Sequence, residues 1–156
     1  MPTTEKYAVA GSWTTVLSTE LNSLANNSNA VSSVLGGTGV FDNTQGGVGD
    51  GYTLCEIEYS FSFAVAPTAN TAVVLYFLKR LSDGSSYSDG SSSVTPVGAY
   101  SITLPLRAVT GQQTDVRHAW LPMGVMKFLA RNDGTGQALA SSGNTVKIRP
   151  TTRAGV

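Results

Sequence analysis

With 156 residues, the chain is long enough for one domain with a substantial hydrophobic core. Its formal net charge is zero and only 13% of its residues are charged, which argues against nucleic acid or an anionic membrane surface as the main partner. The single cysteine, Cys55, excludes an intrachain disulfide and is predicted to be a small buried apolar residue.

Residues 1–17 alternate weakly, with Tyr7 and Trp13 among small and hydroxylated residues, and are predicted to form an N-terminal arm or edge strand. This N-terminus lacks the basic-then-apolar order of a signal peptide. The next segment, 19–27, opens with a hydroxyl cap and an acid, places leucines on one face and ends at two asparagines. It predicts a helix of about two turns.

The clearest strand pattern is 52–63, where aromatic and aliphatic residues alternate with Glu56, Glu58 and serines. One face should therefore pack in the core and the other should meet water or a partner. Segment 71–81 is apolar on both faces up to Leu78, which predicts a central strand covered on both sides.

The repeated SDGSS motif at 82–86 and 88–92 predicts a hairpin tip held in solvent. Further strands are predicted at 99–106, 114–121, 125–131 and 145–149, with a polar, exposed loop before the last. The whole pattern predicts an all-β fold: residues 18–156 as a single antiparallel β-sandwich, a jelly roll or related Greek key, with one short helix and an extended N-terminal arm. A closed barrel is the alternative.

Charge is distributed unevenly along the chain. Residues 117–156 contain six basic residues and one acid, whereas residues 1–116 contain four basic and nine acidic ones, so the two parts carry +5 and −5. If the strands of Lys127 and Arg131 and of Lys147 and Arg149 are neighbours, these four side chains form a basic stripe. The aromatic residues that nucleic-acid binding would add are missing, so solvated charges or a protein contact are the favoured interpretation.

Catalytic and metal chemistry is not predicted. Alternation places His118 on the opposite face from Asp115, which disfavours a nucleophilic triad. Glu56 and Glu58 share one strand face and cannot flank a substrate from opposite sides, so a hydrolase is a minor alternative. One histidine and one cysteine cannot supply a zinc site, and no cofactor motif is present.

The two tryptophans admit two interpretations. Trp13 and Trp120 could each stack on a sugar ring, which would suit a carbohydrate-binding or adhesion module. The favoured interpretation is that Trp120 packs under a sheet edge and that Trp13 anchors the arm on its own or a neighbouring subunit.

Two runs carry a family resemblance. They are V-x-L-Y-F-L-K-R-L-S-D-G-S-S-Y, from Val73, and L-P-M-G-V-M-K-F-L-A-R-N-D-G-T-G-Q-A-L-A-S-S-G-N-T-V-K-I-R-P, which ends at Pro150. This half of the chain resembles the capsid decoration, or cement, proteins of tailed bacteriophages.

The resemblance implies a non-enzymatic jelly-roll protein that sits on the outside of the head shell as a dimer or trimer. The host cytoplasm would be its location before assembly, and the virion surface afterwards. Its partner would be the major capsid protein, held by many weak contacts that act together. We expect the shell or intersubunit contacts to involve Tyr7, Trp13, Arg149 and Arg153. A carbohydrate-binding or adhesion sandwich of a virion is the alternative function.

Overall fold

The computed structural model describes the backbone of residues 5–9 and 11–155 and the side chains of residues 11–151. Ten β-strands, numbered in chain order, account for most of its regular structure. They are β1 Glu5–Val9, β2 Thr14–Leu17, β3 Asn29–Val31, β4 Val40–Asn43, β5 Leu54–Phe63, β6 Ala72–Lys79, β7 Tyr100–Pro105, β8 Gly111–Trp120, β9 Gly124–Asp133 and β10 Thr145–Gly155.

The strands form two antiparallel sheets. In sheet A the order is β1-β10-β5-β8, and β2 also pairs with β10; in sheet B the order is β3-β9-β6-β7, and β4 also pairs with β9. β1 and β2 can be counted as one interrupted strand, and β3 and β4 as another, which leaves eight strands. When these eight are renumbered from 1 to 8 in chain order, their order is 1-8-3-6 in sheet A and 2-7-4-5 in sheet B. This is jelly-roll connectivity, so the predicted fold class is confirmed.

The core lies between the sheets, and alternating residues of the strands supply most of it. In β5 the inward residues, from Cys55 to Phe63, are at most 1% exposed, whereas Glu56 and Glu58 point outward. Phe128 of β9 packs edge-on against both Phe41 and Phe77, with ring centroids 5.7 Å and 5.2 Å apart. Cys55 is buried, so the prediction for this residue is confirmed. Burial, and the charge of the adjacent Glu56, raise the pKa of its thiol to about 12.

Two sequence-based expectations about the sheets are wrong in detail. β6 is central in sheet B, between β9 and β7, but Ala72, Val74 and Tyr76 on its outer face are only half-buried because the sandwich has two layers.

Strands β9 and β10 lie in different sheets. Lys127 and Arg131 are therefore separated from Lys147 and Arg149, and the four do not form a basic stripe.

The polar loop 134–144 also differs from its prediction as an exposed connection. Thr135, Leu139 and Asn144 are at most 2% exposed. The loop crosses from sheet B to sheet A, and its backbone groups are bonded by side chains such as that of Asn132, which donates to the carbonyl of Gln137 at 2.8 Å. Loop residues therefore close one end of the sandwich.

The predicted helix at 19–27 is a single 3-10 turn, Thr19–Leu21; a second turn, Leu35–Gly37, follows later. Leu21 and Leu24 are buried as expected, but Ser23 and Asn27 have φ values of 59° and 61°, which end any helix. In the described part of the chain, no helix is long and apolar enough to cross a membrane.

The carboxylate of Glu20 holds two loops together. Its Oε2 accepts the backbone N–H of Ser18 at 2.9 Å, and its Oε1 accepts those of Ser33 and Val34 at 2.7 Å and 2.9 Å. Partial burial raises the pKa of Glu20, but these N–H donors outweigh it, and the pKa lies below its usual 4.5.

We expect Glu20→Gln to lower the free energy of unfolding by about 1 kcal/mol near neutral pH, because the amide is a weaker acceptor than the carboxylate. A carboxyl group whose pKa is lowered on folding stabilises the protein above its unfolded-state pKa of 4.5 and loses that contribution as the pH falls through its folded-state pKa. Urea unfolding of the wild type and of Glu20→Gln, from neutral pH down to about pH 3, measures the difference in their free energies of unfolding. A difference that stays constant over that pH range would contradict the prediction.

Candidate interaction surface

One broad face of the sandwich carries most of the side chains that sequence analysis singled out. It is the outer side of sheet A, where residues of β10, β5 and β8 stand side by side because strand register aligns them. We call this the outer face of sheet A. It comprises Thr15, Lys147, Arg149, Glu56, Glu58, Thr114, Val116, His118 and Trp120, with Trp13 at its margin.

Trp13 and Arg149, both predicted as contact residues, lie together on this face. The Arg149 guanidinium carbon lies 4.5 Å from the centroid of the Trp13 ring, a cation–π arrangement. Arg149 Nε also donates to Glu56 Oε2 at 2.7 Å, and its Nη2 forms a shorter contact to the same oxygen. Trp13, Arg149 and Glu56, all half-buried, therefore form one row from the β2 edge to the middle of sheet A.

A second, parallel row is formed by Lys147 and Glu58, whose Nζ and Oε1 atoms are 2.8 Å apart. Both acids of β5 are therefore paired with basic residues of β10. The charge asymmetry seen along the sequence is cancelled here, because the jelly roll places the basic C-terminal strand beside an acidic one. Glu56 and Glu58 are thus engaged in ion pairs across the β5–β10 pairing.

Tyr7 and Arg153 are the other two predicted contact residues. Their backbones are direct partners in the β1–β10 pairing, but their side chains lie outside the described residues. The N-terminal segment thus runs along β10 of its own chain at this position.

The β8 side of the outer face is open and carries two exposed apolar side chains. Val116 and Trp120 are 43% and 64% exposed, and the intervening His118 is exposed too. The expectation that Trp120 packs under a sheet edge is wrong. Trp120 lies at the end of the outermost strand, opposite Leu54 of β5. Leu54 is on the same face of the sheet as Glu56 and Glu58, so the Trp120 ring also points away from the core.

A hollow of about 220 Å³ adjoins Trp120 and is lined by Leu54, Tyr100, Ile102 and Thr151 among others. The backbone N–H of Trp120 donates to the hydroxyl of Tyr100 at 3.2 Å, which ties the end of β8 to sheet B. Burial raises the pKa of the Tyr100 hydroxyl. Sequence alone offered no signal for Tyr100, because its role depends on the proximity of β7 to β8.

A larger hollow, about 420 Å³, lies farther along the same side of the sandwich, between Pro105, Arg107, Asp115 and Arg117. The Tyr59 hydroxyl donates to the Pro105 carbonyl at 3.0 Å and lies 3.4 Å from Asp115 Oδ2. Asp115 thus lies on the other side of β8 from His118, as alternation predicted. Among the described residues, no cluster of His, Cys, Asp or Glu is suited to hold a metal ion.

On sheet B, the basic residues of β9 have partners in β9 itself and in the connection between β6 and β7. Arg131 Nε lies 2.9 Å from Asp133 Oδ1, and its Nη1 donates to Thr95 Oγ1 at 2.7 Å. Lys127 Nζ lies 5.2 Å from the centre of the Tyr87 ring. These contacts fold the 80–99 connection onto sheet B.

No protein-family model matches this sequence, and no curated protein matches it. Among solved structures, the chain is similar to "CBM35 from Cellvibrio japonicus Abf62", with a TM-score of 0.44 and 14% sequence identity over 97% of each chain. The strand order of this chain by itself identifies its fold as a jelly roll.

Proposed function

We propose that this protein is a non-catalytic capsid decoration protein that binds the outer head shell of a tailed bacteriophage through the outer face of sheet A. The proposal rests on the exposed side chains of Trp120 and Val116. They lie beside two ion pairs, Arg149–Glu56 and Lys147–Glu58, in which the opposite charges cancel. An exposed tryptophan on a broad sheet face, with arginine nearby, has the composition of a protein-binding hot spot.

The charges of this face favour a protein partner over nucleic acid. Arg149 and Lys147 are already paired with carboxylates, so they offer little free positive charge to phosphates. The resemblance of residues 73–150 to cement proteins supports the major capsid protein as that partner. A shell presents many identical sites, so modest affinity at each face suffices when one oligomer bridges several of them.

The proposal is tested by titrating the purified protein onto undecorated phage heads and following both binding and rupture by heat or osmotic shock. We expect saturable binding and a higher rupture temperature. If the protein neither binds nor shifts rupture, the proposed function is wrong.

We expect Trp120→Ala to weaken head binding about 30-fold, because truncation of a central interface tryptophan typically costs about 2 kcal/mol or more. Val97→Ala is the matched control, since Val97 is 93% exposed in the connection between β6 and β7, on sheet B. Equal binding by the two variants would show that another face contacts the shell.

Carbohydrate binding is the second candidate function, and it is favoured by the same exposed Trp120 ring, which lies beside the partly exposed Tyr100. An accessible aromatic ring next to a hydroxyl group can stack on a sugar and bond its edge. In a Trp13→Phe background Trp120 is the sole tryptophan. Its fluorescence then reports sugar binding directly, and an unchanged signal together with a silent glycan array would exclude this candidate.

A further inference from the structure

Strand β8 is the outermost strand of sheet A and the least protected sheet edge in the described part of the chain. It is ten residues long, and its pairing with β5 runs without a bulge from Gly111 to Trp120. Five successive residues at its centre, Thr114–His118, are all exposed. A long, regular edge strand is a template for a further strand.

The other sheet edges are interrupted, which is how proteins commonly block strand addition. The β1/β2 edge is broken between Val9 and Thr14. The β3/β4 edge is broken by a 3-10 turn, and there the Ser32 hydroxyl accepts the N–H of Phe128 of β9. Strand β7 has six residues and ends at Pro105, which lacks an N–H.

Two hydrogen bonds show which backbone groups of β8 face the open edge. The N–H of Val116 donates to Oδ1 of the neighbouring Asp115 at 2.8 Å, and the N–H of Trp120 donates to the Tyr100 hydroxyl. Neither bonds to β5. Because donor direction alternates along an antiparallel strand, the even-numbered residues Gln112, Thr114 and His118 also turn their backbone groups to this edge.

We propose that β8 pairs antiparallel with β8 of a second copy of this chain, about a twofold axis at Val116. In that register the edge-facing groups of Thr114 meet those of His118 in the other copy, and Val116 meets Val116. Asp115 of each copy lies opposite Arg117 of the other, in the pairing geometry that brings side chains closest. On dimerisation, the Asp115 carboxylate releases the Val116 N–H of its own chain and pairs with Arg117 of the other copy. The released N–H then donates to the Val116 carbonyl of the other copy.

The charged residues of β8 favour this register over the two registers in which the twofold axis is shifted by one residue. Moving the axis one residue toward Thr114 places Asp115 opposite Asp115, and moving it one residue toward His118 places Arg117 opposite Arg117. Both shifts set like charges against each other, which destabilises cross-strand pairs. The contact is self-complementary, as a twofold dimer requires. It joins two outer faces of sheet A edge to edge, but its existence does not depend on whether those faces bind a head shell.

The test uses the full chain and measures its mass by light scattering and sedimentation over a concentration series. We expect a concentration-dependent dimer. Asp115→Arg and Arg117→Asp should each weaken it about tenfold or more, because attractive pairs become repulsive ones. The double variant should restore it, and an equimolar mixture of the two single variants should form a heterodimer.

Val116→Pro should abolish the dimer, because it removes the central N–H without removing a bond to β5, whereas Val116→Thr retains that N–H and should dimerise. A monomeric wild type, a trimer, or a dimer unaffected by these variants would overturn the proposal. Restoration by the double charge swap distinguishes lost pairing from misfolding. Since no heads are present in this assay, its outcome is separate from that of the decoration test.

Discussion

We expect Phe128→Ala to lower the free energy of unfolding by about 3 to 5 kcal/mol, the range found when a fully buried phenylalanine is truncated. Phe128 is fully buried and lies between the rings of Phe41 and Phe77, one from each side of β9. Truncation removes both edge-to-face contacts and leaves a cavity that the rigid sheets cannot close. Urea unfolding followed by circular dichroism measures the change.

Phe128→Leu is the matched control, because it retains an apolar side chain that fills most of the space and loses only the ring contacts. It should cost distinctly less than the alanine variant. A loss below about 1.5 kcal/mol for Phe128→Ala would mean that the core collapses around the gap and is packed less tightly than the structure indicates.

The sheet framework could be predicted because alternation is a local property. In β5, the pattern from Cys55 to Phe63 identifies the buried side correctly without knowledge of any neighbour. The segment at 19–27 carries an equally local helical pattern, yet it forms one 3-10 turn. There, Glu20 bonds the distant residues Ser33 and Val34, and Ser23 adopts a positive φ. These tertiary contacts override a weak local preference.

The candidate surface depended on information that alternation does not contain. The contact of Trp13 with Arg149 requires the pairing of β2 with β10, and the exposure of Trp120 requires that β8 be the last strand of its sheet. Similarly, the basic stripe failed because β9 and β10, which are successive in the chain, lie in different sheets. Strand order decides all three outcomes, and it is a non-local property.

Strand β8 links the two proposed interactions. Its outward side chains, including Trp120, belong to the outer face, while its backbone edge is the proposed dimer contact. Pairing at Val116 would bring two copies of Trp120 onto one continuous sheet surface. A dimer of this kind offers a shell two linked contacts, and the second contact then forms at a high effective concentration.

We expect Asn132→Ala to lower the free energy of unfolding by about 3 kcal/mol, although the residue is polar and precedes a loop predicted to be exposed. Asn132 is fully buried; its amide nitrogen donates to the carbonyls of Leu24 and Gln137 at 3.0 Å and 2.8 Å, and its oxygen accepts Thr135 Oγ1 at 2.6 Å. Alanine would remove these three buried hydrogen bonds, each of which contributes about 1 kcal/mol. The Leu24 carbonyl would still accept the N–H of Leu139, and the Gln137 carbonyl would still accept Thr135 Oγ1.

Asn26→Ala is the matched control, since Asn26 bonds the same loop through the Gly136 N–H but does so at the exposed surface. Water can replace that bond, so we expect a cost below about 1 kcal/mol. Hydrogen exchange should show faster exchange for the N–H groups of residues 134–144 in Asn132→Ala and little change in Asn26→Ala. Equal effects of the two substitutions would mean that the loop is held by its apolar residue Leu139, and not by the buried amide.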